Sequence, residues 1–244
     1  MIGSMAQLFA GTSGFAYAAW KPLFYPEKLA AKKFLGHYAT RLNAVEVNYT
    51  FRRLPSASTL EGWLAETPPH FKFSLKAHQK ITHFQRLTRS EFTAVFFKSM
   101  DVLRVQKRLG PVLFQLPPNL ACDLAKFEDF LQDVPEDVPC AFEFRHKSWF
   151  TEEVYQLLEQ RRLALCLAES DKLVVPDRVT ADYVYFRLRK SEYAPEERQE
   201  IGRRAGELVG SGKDVFLYFK HEEDPAGALY AEELLHGQQH ATGR

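Results

Sequence analysis

Two glutamates stand in surroundings too apolar for idle charge. Glu46 lies in Ala44-Val-Glu-Val-Asn48, and Glu143 in Cys140-Ala-Phe-Glu-Phe-Arg145. Both runs alternate with period two, so Glu46 shares a strand face with Asn48, and Glu143 shares one with Ala141 and Arg145. A carboxylate carried on an apolar strand is costly unless it is paired or used. If it is used, its chemistry is proton transfer, and Glu46 and Glu143 are the acid/base candidates. The same pattern brings up Lys76 and His78, Gln115, Arg187 and Arg189, and Lys220 and His221, each closing an apolar run. His146, Ser148 and Trp149 follow Arg145 directly. Cations outnumber carboxylates in this set. The implied ligand is therefore a small anion bearing phosphate or carboxylate, which arginine can hold with two parallel hydrogen bonds. The binding set is Asn48, Lys76, Gln115, Arg145, His146, Trp149, Arg187 and Lys220. The competing reading is a structural network in which the two glutamates neutralise Arg145, Arg187 or Lys76. Lys76 as an imine-forming lysine would need a depressed pKa, of which the sequence gives no sign.

His78, His83, His146 and His221 lack H-E-x-x-H or H-x-H spacing, so no metal site is assigned, although a divalent metal is compatible with the set. Trp20, Phe51 and Trp149 either pack the loops or stack on a sugar or base. No G-x-x-x-x-G-K-[ST], G-x-G-x-x-G or G-x-S-x-G pattern occurs. Gly11-Thr-Ser-Gly14 either presents backbone N–H groups to an anion or is a tight turn.

These residues need a frame that gathers strand ends. Eight apolar runs read as strands: Leu8–Ser13, Ala44–Asn48, Phe71–His78, Pro111–Leu116, the run from Cys140, Leu163–Ala168, Tyr183–Arg189 and Asp214–His221. Helices are expected over about 27–38, 55–66, 91–108, 124–132, 151–161, 195–209 and 225–235, while Lys172–Ala181 shows no amphipathic pattern. Strands alternating with helices imply a parallel sheet. Eight such units in 244 residues fit a single (β/α)8 TIM-type barrel spanning 1–244, with a degenerate helix between strands six and seven. In such a barrel the strand C-terminal ends form the site, which is where the polar set falls.

Composition bounds the rest. The net charge is +1, so any basic site is local rather than global. Three widely spaced cysteines, Cys122, Cys140 and Cys166, read as buried reduced thiols of a cytoplasmic protein. No apolar run reaches the roughly 20 residues of a membrane span, and no signal peptide is evident. Gly3-Ser4 ahead of Met5 suggests Met5 as the natural start, and residues 1–6 and 237–244 read as flexible ends.

One set of motifs is more specific. Gly11-Thr-Ser-Gly-Phe15 with Tyr17 and Trp20, Phe24-Tyr-Pro26, Val45-Glu-Val-Asn-Tyr-Thr-Phe51, Phe71-Lys-Phe73 with Lys76, and Thr82-His83 belong to it. So do Leu109-Gly-Pro111, Gln115-Leu-Pro-Pro118, and Phe142-Glu-Phe-Arg-His146 with Ser148-Trp149. Together they resemble the YecE-like family, a TIM-barrel family of unknown function. The resemblance implies the barrel and leaves the reaction open. It thins after Trp149. Where that family carries an Arg segment followed by His-Gly, this chain has Arg187-Leu-Arg-Lys190, and where it carries paired Asn, this chain has Lys220 and His221. The functional expectation is an enzyme acting on a small anionic substrate at the barrel mouth, with no cofactor required by the sequence. The alternatives are a nucleic-acid-binding or metal-dependent phosphodiesterase-like barrel, and a non-catalytic small-ligand-binding protein. No membrane partner is expected.

Overall fold

In the computed structural model, residues 5–170, 172–220 and 223–242 are described. Eight parallel strands form one sheet: β1 (Leu8–Ser13), β2 (Ala44–Val47), β3 (Lys72–Leu75), β4 (Val112–Gln115), β5 (Cys140–Glu143), β6 (Ala164–Ala168), β7 (Tyr183–Leu188) and β8 (Asp214–Phe219). Their order is β3-β2-β1-β8-β7-β6-β5-β4. The ends of that order meet. Phe73 N–H donates to Arg108 O at 2.9 Å, Gly110 N–H to Phe73 O at 2.9 Å and Ala77 N–H to Leu113 O at 2.8 Å, which closes the sheet into a barrel. The fold is a (β/α)8 TIM-type barrel.

Eight helices flank the strands: α1 (Phe34–Tyr38), α2 (Ala57–Glu66), α3 (Glu91–Lys98), α4 (Asp101–Val105), α5 (Leu124–Phe130), α6 (Glu152–Gln160), α7 (Pro195–Gly210) and α8 (Ala226–Thr242). Their starts follow the sequence chemistry: Ser56, Asp123 and Thr151 accept from the backbone N–H three residues on, capping α2, α5 and α6. Among the described residues two α-helices stand between β3 and β4 and none between β6 and β7, in keeping with the gap expected at Lys172–Ala181. The helix read as 91–108 breaks after Lys98, where Ser99 Oγ turns back onto Phe96 O at 2.6 Å. The helix expected from Glu27 begins at Phe34, behind a 3₁₀ turn at Ala31–Lys33. Helix α8 continues beyond the expected Leu235 to Thr242, because Gly237 weakens a helix without breaking it as proline would. Residues 1–4, and with them the question of the natural start, lie outside the described residues, as does His221. Among the described residues no helix is long and apolar enough to cross a membrane.

Period two sorts the strands into two shells. Phe114, Phe142 and Phe144 face outward and pack with Phe127, Phe130 and Trp149 beneath α5. Inward-facing Phe9, Leu113, Ala141, Cys166, Tyr185, Phe216 and Tyr218 fill the barrel, with Phe9 stacked on Phe216 at 4.7 Å. At Gly11 the backbones of β1 and β2 approach closely: a Cβ there would sit 1.8 Å from Ala44 O, so any other residue would push the strands apart. This apolar plug is the floor on which the inward side chains of the upper layer stand. All three cysteines are free, with Cys140 and Cys166 buried.

Candidate active site at the barrel mouth

The upper layer is polar and tightly bonded. Arg187, two residues beyond Tyr185 on β7, points into the barrel and is 3% exposed. Its Nε and Nη2 grip Glu46 Oε2 and Oε1 at 2.8 and 2.7 Å, and its Nη1 donates to Glu143 Oε2 at 2.5 Å. One guanidinium thus joins β2 to β5 across the barrel. Ser13 Oγ donates to Glu46 Oε1 at 2.6 Å and Tyr185 OH to Oε2 at 2.8 Å. Glu143 takes Gln115 Nε2 at 2.9 Å to each oxygen, and Arg189 Nη2 at 2.9 and 3.1 Å. Gln115 in turn accepts from Lys76 Nζ at 2.9 Å, and that ammonium lies 4.4 Å from the centre of the Phe51 ring.

The electrostatics follow from this bonding. Burial by itself would raise the pKa of Glu46, but the Arg187 charge and the bonds from Arg187, Ser13 and Tyr185 outweigh it and hold the carboxyl below the ordinary range. Glu143 behaves alike: burial opposes, while the charges of Arg187 and Arg189 and the Gln115 bond prevail. Both are ionised acceptors whose oxygens are filled. Lys76 goes the other way. Burial, with repulsion from Arg187, brings its pKa down to about 8, against the pull of Glu46 and Glu143. Two donors or acceptors of this layer are left unsatisfied in burial, Arg189 Nε and Asn48 Oδ1.

Above β5, β6 and β7 the mouth opens into two overlapping cavities of about 550 and 380 Å³. Their walls include Arg145, Lys147, Lys172, Arg189 and Lys190, together with Glu143, His146 and Glu169. His146 Nδ1 lies 2.8 Å from Ser148 Oγ and 3.3 Å from Ser148 N, which orients the ring at the start of the 3₁₀ turn. Glu169 accepts from the backbone N–H of Arg189 at 2.6 Å and from the Tyr193 hydroxyl, so it fixes the β6 and β7 ends to one another.

The Gly11–Gly14 segment is not an anion cradle. Thr12 N–H donates to Tyr38 OH at 2.8 Å and Gly14 N–H to Glu46 O at 2.8 Å, and Gly14 takes a φ of +95° to make the turn.

A family model described as "Protein of unknown function DUF72" matches residues 9–243. The chain belongs to the DUF72 family. It is 33% identical over 139 residues to the UPF0759 protein YunF of Bacillus subtilis (strain 168), a match covering 54% of this chain and 49% of YunF, so the chain aligns with about half the length of that relative. Among solved structures, a DUF72 family protein from Thermotoga maritima is 27% identical, with a TM-score of 0.82 over 96% of this chain and 99% of its own. A DUF72 protein of Enterococcus faecalis, 18% identical, shares the fold at a TM-score of 0.78, covering 94% of this chain and 96% of its own.

Within this DUF72 barrel, Glu46, Lys76, Gln115, Glu143 and Arg187 converge in one network, as the period-two reading places them on one face. Arg145 and His146 line the cavities. Trp149 does not belong with them. It is 2% exposed, stacked on Phe144 at 4.5 Å, and donates from Nε1 to Leu120 O at 2.8 Å. The 3₁₀ turn at Lys147–Trp149 carries its ring behind β5, where apolar burial outweighs any use at the mouth. Trp20 is likewise core, and Phe51 is the aromatic that meets Lys76. Lys220 is exposed past the end of β8 and is not among the residues lining the two mouth cavities. Asn48 begins the 3₁₀ turn Tyr49–Phe51. His78 packs edge-on to Phe92, and His83 edge-on to Phe51. Among the described residues no three His, Cys, Asp or Glu side chains group so as to hold a metal ion. Sequence reasoning missed Ser13, Tyr185 and Glu169 as network members. Tyr185 carried a usable signal, since it lies two residues before Arg187 on the same strand face.

Proposed function

We propose that this chain is a YecE-like enzyme that binds a small anionic substrate, bearing phosphate or carboxylate, at the C-terminal mouth of the barrel. The observation that carries this reading is how charge is divided. Glu46 and Glu143 are taken up by Arg187, Arg189 and Gln115, with Arg145 Nε 3.9 Å from Glu143 Oε1, while Arg145, Lys147 and Lys172 stand around a cavity of ligand size. A cleft walled this way focuses positive potential on a chain of net charge +1. In this reading the acid/base role falls to Lys76 rather than to the two glutamates; Lys76 is not among the residues lining the two mouth cavities and reaches them through Gln115 and Glu143. A carboxylate whose oxygens are filled and whose pKa is lowered is a poor proton acceptor, whereas an amine titrating near 8 is a competent base or imine-forming nucleophile. Glu46 and Glu143 then position Arg187, and Arg145, His146 and Arg189 hold the anion.

The test is thermal stability at low salt against inorganic phosphate, sugar phosphates, dicarboxylates, short single-stranded DNA and divalent metals. A ligand at about 100 times its Kd adds roughly 2.7 kcal/mol of stability. A shift with one small anion is expected. A response confined to DNA or metal would replace this reading with the phosphodiesterase-like one, and no response to any anion would overturn it. With a substrate in hand, Lys76→Met is expected to keep the anion-induced shift and lose turnover. The rate should rise with pH through about 8, because the free amine is the active form. A chain that captures its ligand without turnover is a binding protein instead.

A further inference from the structure

Among the described residues no helix stands between β6 and β7, which leaves an opening in the outer shell. A cavity of about 230 Å³ lies there, between the outer face of the sheet and α7. Leu167, Val175, Phe186, Leu188, Ile201 and Leu217 line it, so it is apolar on both its strand side and its helix side. Its outer lip is polar: Arg204 pairs with Asp177 and lies over the Phe186 ring, 5.0 Å from its centre. Ala168, Glu169 and Val175 line this cavity and both mouth cavities as well. The apolar cavity therefore adjoins the cationic mouth around the end of β6, beneath the segment that begins at Lys172. Glu169 at the junction accepts from Arg189 N–H and Tyr193, so its carboxylate is hydrogen-bonded in place where the two spaces meet.

We infer that the mouth and the outer cavity form one composite site for an amphipathic anion, a phosphate or carboxylate head carrying a short aliphatic tail. The head lies among Arg145, Lys172 and Arg189, and the tail passes the end of β6 into the space between β7 and α7. This rests on the anionic-ligand reading above and narrows it to a class of substrate. A fully polar sugar phosphate would leave the apolar space unused. A neutral lipid would leave the cations unanswered. The amphipathic anion answers both, because apolar surface seeks burial wherever it is offered and charge seeks its counter-charge.

Calorimetric titration with inorganic phosphate, n-butyl phosphate, n-hexyl phosphate and the neutral 1-hexanol, below any micelle-forming concentration, tests the inference. Affinity is expected to rise about fourfold for each methylene that enters the cavity, then level off when the space is full. Ile201→Trp, which plugs the cavity from the half-buried face of α7, should abolish that rise while leaving the Kd of inorganic phosphate within twofold. Ile201→Phe, a smaller plug less demanding of the fold, should shorten it. Binding of phosphate with no dependence on chain length, or a rise that survives both plugs, would overturn the composite site and leave the anion site standing. Hexanol binding as tightly as hexyl phosphate would overturn it too, since the head would then contribute nothing. Failure of inorganic phosphate and alkyl phosphates alike would remove the anionic reading itself.

Discussion

Arg187 is the residue on which the mouth depends, because it satisfies two buried carboxylates on opposite sides of the barrel. Removing one partner from a buried ionic set costs about 3–5 kcal/mol, since the charges left behind have no water to replace it. Arg187→Met should therefore destabilise the chain by that order at pH 7, measured by urea unfolding. The loss should shrink at pH 5. In the native chain Glu46 and Glu143 have lowered pKa values, so the stability they contribute is present above their unfolded values near 4.5 and persists at pH 5. In the variant the largest opposing charge is gone and only the Ser13 and Tyr185 bonds to Glu46, and Arg189 and Gln115 at Glu143, still oppose burial, so those pKa values rise, proton uptake at pH 5 increases and the penalty falls. An equal loss at both pH values would mean that Arg187 acts through packing alone. The alternation of Ala44–Asn48 and of the run from Cys140 showed which way Glu46 and Glu143 point. It could not show that one arginine from β7 meets both, because β7 stands three strands from β2 and two from β5 in the sheet order, and that geometry exists only once the barrel is closed.

Strands were more legible than helices in this chain, and for a physical reason. Each strand is a short, wholly apolar or alternating run, and all eight runs became strands, most of them trimmed by a residue or more at one or both ends. Helix limits were set by local hydrogen bonding that periodicity does not encode, as at Ser99. The β6–β7 connection is the instructive element. Its lack of amphipathic pattern correctly signalled the missing helix, but not the cavity that this leaves. Among the segment's described residues Arg178 N–H donates to Pro176 O at 2.9 Å and Lys172 N–H to Ser170 Oγ at 3.2 Å, and Val174 is 87% exposed. Amides of residues 173–175 are therefore expected to exchange hydrogen fastest among the loops that follow β1–β7, and a bound anion should slow them by reducing local opening. Exchange there as slow as in β7 would show that the segment is held more firmly than its bonds indicate. At the other end of the scale, Gly11→Ala forces a methyl group against Ala44 O, and a cost of about 1–3 kcal/mol or more is expected from overpacking alone, read as a lower urea midpoint.

Charge at the scale of the whole chain nearly cancels, at +1, so ligand attraction must come from where the charges sit. They sit in two kinds of place. Arg187 and its two glutamates are buried, and solvent ions do not reach them. Arg145, Lys147 and Lys172 are exposed at the mouth, and solvent ions do. Salt should therefore separate binding from stability. Raising ionic strength from 0.01 to 0.15 M shortens the screening length from about 30 to about 8 Å. Phosphate affinity should then fall several-fold, mainly through slower association, because the field that gathers the anion extends into solvent. The urea midpoint of the ligand-free chain should hardly move, because its central ion network lies inside the screening boundary. If stability falls with salt as steeply as affinity does, the surface pairs rather than the Arg187 network hold the mouth together. If neither moves, the anion is held by buried donors alone, and Arg189, rather than the exposed rim, is the residue to substitute first.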